Sequence, residues 1–466
     1  MEIMKIILTI TESFFIIYLM CYAFLLVTSV IVGAISIYDK MQKNKFKNLI
    51  EVDEELRISI IIPAFNEEIT IMNTIDSLAQ LDYKNYEIVV VNDGSSDKTL
   101  DFLLENCQIE RKDKYIQNHI KTKPIRAIYE GKYKGKNITV IDKENGGKAD
   151  SLNVGINVSN YPWFICMDAD SILQSDALKN VVVPILEDET VIASGGAIMI
   201  SNGVTLKNGK VEKYDIPKNL LAASQTVEYN RTFLASRIMF DKINANLIIS
   251  GAFGLFRKDI VVAAGGYDPS TRGEDMELVV KLHSFCRVNR RKYKIKYVQN
   301  AICWTQAPED LKGLISQRRR WHIGLYECMK KYRNMFFKKE YGVIGSLSYL
   351  YFLLYEFLSP YIEVVGIFVT ILMYICKLIN FEFMIVFYLF YILLGVIISA
   401  TAHASTVYIN QLEFNFKKFA EVIVLCFLEI GFLRFVLTWV RFTALFGYSK
   451  NKYHWGKIQR KEMNQK

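Results

Sequence analysis

Four groups of side chains in the middle of the sequence are of the types from which chemistry is built: Asp93, the pair Asp168 and Asp170, the pair Glu274 and Asp275, and the run Gln317, Arg318, Arg319, Arg320, Trp321. Two carboxylates separated by one small residue point to the same side of an extended chain, so Asp168 and Asp170 can address one point in space. Hard oxygen ligands of this kind suit Mg²⁺ or Mn²⁺, with diphosphate oxygens completing the shell. The alternative for Asp170 is a helix cap ahead of Ala177 and Leu178. Asp93 follows a strand and opens an Asp-Gly-Ser-Ser turn, where its carboxylate can accept from a base N–H or close the turn itself. Lys148 follows two glycines, which let backbone approach a ligand while the ammonium offers a point charge to phosphate. Asp275 is the candidate general base, taking a proton from a hydroxyl late in bond formation, with Glu274 beside it. Acidity at a helix N-terminus is the structural alternative, and it accounts for Glu274 better than for both. Arg320 presents a planar donor fork, Gln317 lies one turn back, and Trp321 can stack on a sugar or brace an acceptor. An interfacial helix, with Arg toward headgroups and Trp at the boundary, uses the same residues differently. Arg318 and Arg319 are the better candidates for lipid contact.

The elements that must carry these groups read as an α/β unit. From Arg57 onward, short β-branched runs alternate with helical periodicity: Ile58 to Ile62, Tyr86 to Val91, Asn137 to Ile141 and Trp163 to Met167 as strands, with helices through Ile71, Ile75, Leu78 and from Ala149 to Val158. Continuous apolar strands between helices predict a mainly parallel sheet covered on both faces. Ligands gather beyond the carboxyl ends of such strands, and Asn66, Asp93, Lys148, Asp168 and Asp170 all fall there. The connection from Leu103 to Lys136 is long and polar, and reads as a surface insertion or an added helix with a loop.

Apolar stretches flank this unit. Ile6 to Ile37 carries one charge, Glu12, and is long enough to cross a bilayer; its flanks fit an anchor and not a cleaved signal peptide. Gly342 to Leu378 is broken by Pro360, Phe383 to Ala402 is a cleaner span, and Phe419 to Phe446 is interrupted by Glu429, Arg434 and Arg441, so three or four crossings can be drawn. Carboxylates are costly in lipid, so Glu356, Glu363 and Glu429 are expected to face protein or a polar path, with a helix lying flat at the interface as the alternative for Glu429. The formal net charge of +9 collects beside these stretches, which points to lipid headgroups and a cytoplasmic flank, not to nucleic acid. The eight cysteines show no close pairing and no zinc-site spacing, as in a reducing compartment.

Taken in order, PAFNEE at 63–68, VVVNDGSSD at 89–97, DKENGGKADSLN at 142–153, MDADS at 167–171, GED at 273–275 and QRRRW at 317–321 resemble the membrane-integrated, processive family-2 glycosyltransferases, the type that includes cellulose, chitin, hyaluronan and poly-N-acetylglucosamine synthases. The resemblance implies a GT-A nucleotide-sugar-binding domain with N- and C-terminal transmembrane helices and interfacial helices. It implies uridine contacts at Ala64, Asn66, Glu68 and Asp93, diphosphate contact at Lys148, a metal at Asp170 supported by Asp168, and Asp275 as base. Gln317, Arg320 and Trp321 would close the donor and acceptor site, with Ser250 to Gly254 on the acceptor side and Gln225 and Glu228 near it. No PilZ-type domain or FxVTxK element is recognisable. The implied organisation is an anchor and linker at 1–50, a cytoplasmic catalytic domain at 51–310, interfacial helices at 311–341, a transmembrane region at 342–448 and a basic tail at 449–466. The implied activity is inverting, processive polymerisation of a β-glycan from UDP-glucose or UDP-N-acetylglucosamine at the plasma membrane, with export through the protein's own helices. A homo-oligomer or a separate export partner is compatible with it. A lipid-linked single-sugar transferase and a non-catalytic nucleotide-sugar-binding scaffold are the rival classes.

Overall fold

Runs of Ile and Val ended by Pro, Asn or a polar turn become buried strands here. β1 (Ile58–Ala64), β2 (Tyr86–Asn92), β5 (Lys136–Lys143) and β6 (Trp163–Cys166) lie side by side and parallel, in the order β5-β2-β1-β6. The computed structural model describes residues 2–47, 56–207, 209–232, 236–378, 380–412, 415–446 and 448. The expected basic tail, 449–466, lies outside them. The helix Ile71–Ala79 buries Ile71, Ile75 and Leu78 against the sheet, as its spacing predicts. The helix Lys148–Val158 begins at Gly147, whose φ of 87° is a conformation that a side chain would resist.

Beyond β5 the sheet continues through β4 (Ile125–Tyr133) to β3 (Gln108–Arg111), both antiparallel. The long connection is therefore the edge strand β3 and its polar neighbour β4, and not an added helix. Edge strands are kept polar and charged, which removes the apolar signal by which a strand is read. On the other side, β11 (Gly254–Arg257) runs antiparallel between β6 and β8 (Val191–Ile200). β8 pairs in parallel with β12 (Lys294–Thr305), and β7 (Ser171–Leu173) closes that edge antiparallel. The sheet is thus mixed and mostly parallel: β3, β5, β2, β1, β6, β8 and β12 share one direction, against β4, β11 and β7. A hairpin of β9 (Val204–Lys207) and β10 (Lys210–Tyr214) stands apart.

Among the described residues, three helical stretches are long and apolar enough to cross a membrane: Thr9–Ser36, Met384–Ile409 and Phe416–Phe442. A fourth candidate is the pair Ile344–Phe357 and Ser359–Ile375, bent by 51°. Pro360, in the first turn of the second helix, prevents the chain from continuing straight. Glu429 and Glu363 of this region face protein. Glu429 is 2% exposed and receives both terminal nitrogens of Arg231, at 2.6 and 2.9 Å. Glu363 accepts from Arg434 at 2.8 Å and from the Thr438 hydroxyl at 2.7 Å. That bidentate pair meets the expectation that Glu429 faces protein. All eight cysteines are free thiols.

Candidate active site

A cleft of about 1560 Å³ opens at the carboxyl ends of β1, β2 and β6 and runs down to the membrane helices, reaching Glu356, Leu437 and Arg441. Ala64, Asn66 and Asp93 line its upper end. Asn66 holds a left-handed φ of 57°, which Asn tolerates, and its side-chain oxygen accepts from the Ser96 N–H at 2.8 Å. Asp93 is buried, and its carboxylate accepts from Lys143 Nζ at 2.6 Å and from the N–H groups of Gly146 and Gly147 at 2.9 and 2.8 Å. Lys143, fully enclosed, also pairs with Asp150 at 2.8 Å. Asp93 therefore pins the Gly146-Gly147 loop, while the turn that follows it is bonded by Asn92, whose side-chain oxygen accepts from the Ser95 N–H at 3.4 Å. Glu68 is not among the lining residues: its carboxylate accepts from the Lys98 N–H at 3.0 Å, and Glu67 faces the cleft in its place.

Asp168 and Asp170 both line the cleft, but not from an extended segment. β6 ends at Cys166, and the Ser171 N–H returns to the Asp168 carbonyl at 3.1 Å, making a turn that carries both acids. Asp170 caps no helix, because β7 follows at once. The residues present fit a hard divalent cation: two carboxylates at one end of a polar cleft, beside Lys148, where a diphosphate would supply further oxygens. Among the described residues no cluster of three or more His, Cys, Asp or Glu forms a metal site alone. Lys148 bridges the acidic groups, 2.5 Å from Asp168 and 3.4 Å from Glu274. Burial opposes the charge on its ammonium, yet these two acids outweigh it and hold the group above the usual lysine range.

Glu274 and Asp275 begin the helix Glu274–Val288, so their acidity also meets the positive end of its dipole. Asp275 accepts from the Met276 N–H at 2.8 Å and from the Gly251 N–H at 3.3 Å, which sets it against the Ser250–Ala252 wall. Burial raises its carboxyl above the ordinary range, and the neighbouring Glu274 charge adds to this. A carboxyl so shifted holds a proton more readily than free aspartate does.

The helix Leu311–Lys331 closes the cleft, and Gln317, Arg320 and Trp321 line it. Trp321 is 41% exposed. Arg318 overturns the expectation of lipid contact: it is 7% exposed, pairs with Glu228 at 2.7 Å and lies over the Trp321 ring at 4.5 Å. Arg319 is exposed. Glu228 lines the cleft as expected, whereas Gln225 is enclosed and donates to the Leu221 and Pro308 carbonyls. Lys143, Arg237 and His322 carry no signal in the sequence; Arg237 lines the cleft and donates to the Ile248 carbonyl at 2.7 Å. A lysine inside DKENGG gives no sign that it will be fully buried, and His322 differs from a surface histidine only once its neighbours are known. Among the described residues His322 is buried with no hydrogen-bond partner, stacked on Phe357, and burial with the Arg441 charge takes its ring down to about 3.

Residues 59–262 match the family model "Glycosyl transferase family 2", and residues 163–399, half of the chain, match "Glycosyl transferase family group 2". The chain belongs to glycosyl transferase family group 2. Within this family it is 32% identical over 280 residues to a poly-β-1,6-N-acetyl-D-glucosamine synthase of Staphylococcus aureus, covering 60% of this chain and 57% of the relative. It is 29% identical over 304 residues to a synthase of the same description from Staphylococcus epidermidis, covering 64% of this chain and 62% of the relative. The match thus spans less than two thirds of these relatives' own length. Among solved structures, a mannosyltransferase of Pyrobaculum calidifontis in complex with GDP-Man and Mn²⁺ superposes with a TM-score of 0.47 at 15% identity, over 92% of this chain and 99% of that one. Residues 1–349 of S. aureus TarS with UDP-GlcNAc superpose with a TM-score of 0.39 at 12% identity, over 86% and 93%.

Proposed function

We propose that this glycosyltransferase polymerises N-acetylglucosamine from its UDP derivative into a β-linked glycan at the cytoplasmic face of the plasma membrane, and passes the product out between its own helices. The observation that carries this reading is the continuity of the cleft, from Asn66 and Asp93 at the strand ends to Glu356 and Arg441 among the apolar helices. A single-sugar transferase has no need of a polar path leading away from its acids into the membrane part. The choice of N-acetylglucosamine over glucose rests on the staphylococcal relatives.

In this mechanism Ala64, Asn66 and the Asp93 turn hold the uridine, and Lys148 turns from Asp168 toward the diphosphate. Asp170, supported by Asp168, would hold Mg²⁺ or Mn²⁺, which when bound offsets charge on the leaving diphosphate. Asp275 accepts the acceptor hydroxyl's proton as that oxygen bonds to the anomeric carbon, and the carbon–phosphate-oxygen bond breaks on the opposite face, inverting the centre. Gln317 and Arg320 close over the donor, and Trp321 offers a flat apolar surface over which the terminal sugar can slide. The 51–310 segment acts as the cytoplasmic catalytic domain, 311–341 as interfacial helices, and 1–50 and 342–448 as the membrane part.

Purified protein in lipid vesicles, with the catalytic domain outward, should release UDP from UDP-N-acetylglucosamine. Its polymer should yield to a β-1,6-specific hydrolase and become protected from added hydrolase as it lengthens. Product that stays digestible at every length removes the export reading. A single sugar on a lipid carrier would transfer the assignment to a lipid-linked transferase.

A further inference from the structure

The helix that closes the cleft also grips the loop that carries Asp275. At the second half of Leu311–Lys331, Gly324 lies against Gly273 backbone to backbone: a methyl group built on Gly324 would come within 2.7 Å of the Gly273 nitrogen. One turn on, a Glu327 oxygen accepts from the Arg272 N–H at 2.8 Å and from the Thr271 hydroxyl at 3.2 Å, and that hydroxyl accepts from the Gly273 N–H at 3.2 Å. The other Glu327 oxygen accepts from the Tyr448 hydroxyl at 2.7 Å, six residues past the helix Arg434–Phe442. At the far end, Lys331 pairs with Asp268 at 2.5 Å and with the fully buried Glu277 at 2.6 Å, so the segment 268–277 is held on both sides of the acid.

We infer that Glu327 is a positioning residue: with Tyr448 it fixes the 271–273 turn, and through it Asp275, against the helix that bears Gln317, Arg320 and Trp321. This rests on the assignment of Asp275 as base. The physical reason is that an acid at the first turn of a helix goes where that turn goes. The turn is glycine-containing; its local hydrogen bonds run from the Gly273 N–H to the Thr271 hydroxyl and from the Glu277 N–H to the Gly273 carbonyl at 2.9 Å, and the Glu327 carboxylate ties it to the neighbouring helix. Because Tyr448 follows the last apolar helix, the same carboxylate joins the end of the membrane part to the reacting centre. Glu327 and Tyr448 do not themselves line the cleft, so their loss should act on the rate of the chemical step and not on donor binding.

The test compares Glu327→Ala, Glu327→Gln and Tyr448→Phe in lipid with UDP-N-acetylglucosamine, alongside Asp275→Asn. Displacement of a reacting group by about an ångström costs on the order of 100-fold. Glu327→Ala should therefore lose about 10- to 100-fold in kcat, with KM within about twofold of the parent. Glu327→Gln keeps an oxygen for the Arg272 N–H and an amide for the Tyr448 oxygen, and should recover to within about threefold. Tyr448→Phe should show a smaller loss of the same kind. The inference fails if Glu327→Ala keeps its kcat, if kcat and donor affinity fall together, or if Gln does not rescue while Asp275→Asn is inactive. If Asp275→Asn turns over normally, the base assignment itself falls, and this inference with it.

Discussion

In the sheet, Ile58, Ile60, Ile61 and Ile62 have no exposed surface, whereas along the helix Phe381–Ile409 the side chains of Val386, Leu389 and Phe390 stand outward. Charge follows the reverse pattern in the membrane part, where Glu429 and Arg231 face each other inside while apolar side chains cover the outside. Yet each region encloses a tight ionic centre of this kind: Lys143 between Asp93 and Asp150 above, Arg231 on Glu429 below. The upper centre pins the Gly146-Gly147 loop at the wall of the cleft. The lower one is buried because lipid leaves a carboxylate no other place. The same pairing chemistry thus answers two solvents.

The largest expected effect separates the cleft's chemistry from this architecture. Asp275→Asn should lower turnover by about 10²- to 10⁴-fold, the usual contribution of a general base, and leave UDP binding by calorimetry near the parent value. Normal turnover would remove Asp275 from the reaction. Next come the two ionic centres. Lys143→Met leaves two buried carboxylates without their cation, and Arg231→Met leaves Glu429 alone; each should cost about 3–5 kcal/mol of stability, read as a lower unfolding midpoint in detergent or lipid. If Lys143→Met lowers UDP affinity and Arg231→Met does not, the difference in purpose between the two centres is confirmed; equal losses would refute it.

A smaller effect is read in the pH profile. Burial and Glu274 raise the Asp275 carboxyl, so the active, deprotonated form should be lost as pH falls through a value above the ordinary aspartate pKa of about 3.9. The acid limb of kcat/KM should lie above that value, and a limb at or below it counts against the burial of this acid during catalysis. For stability the sign is opposite: a carboxyl raised in the folded state contributes most at low pH and loses that contribution as pH rises through its folded value. The smallest effect belongs to the catalytic domain alone. His283, fixed by the Tyr293 hydroxyl and the Asn246 carbonyl, is lowered by burial from 6.5 to about 4. The unfolded chain binds the proton first, so stability should be present above about 6.5 and decline as pH falls toward about 4. Replacing His283 by Gln should flatten that decline in thermal melts taken across the range.

Local sequence carries far in some places and stops in others. The helix Ile71–Ala79 and the strands β1, β2 and β5 are legible because each has enough apolar or β-branched residues to set its own period. β7 and β11 are three and four residues long, too short for any period, and β3 and β4 hide theirs under edge charges. Arg318 shows the limit within the site. A run of three arginines does not say which one turns inward, and only packing against Glu228 and Trp321 selects it.

By itself the sequence determined the residue types at the strand ends, the apolar stretches and their lengths, and the order of the acidic and basic groups, because these depend on neighbours along the chain. The tertiary structure decided which groups share the cleft: that Glu68 turns away and Glu67 toward it, that Asp93 is held by Lys143, and that Glu327 reaches the turn before Asp275. Those outcomes depend on side chains tens to hundreds of residues apart meeting within hydrogen-bond range. A carboxylate's partner, and so its charge state and aim, is set by that meeting and not by its place in the chain.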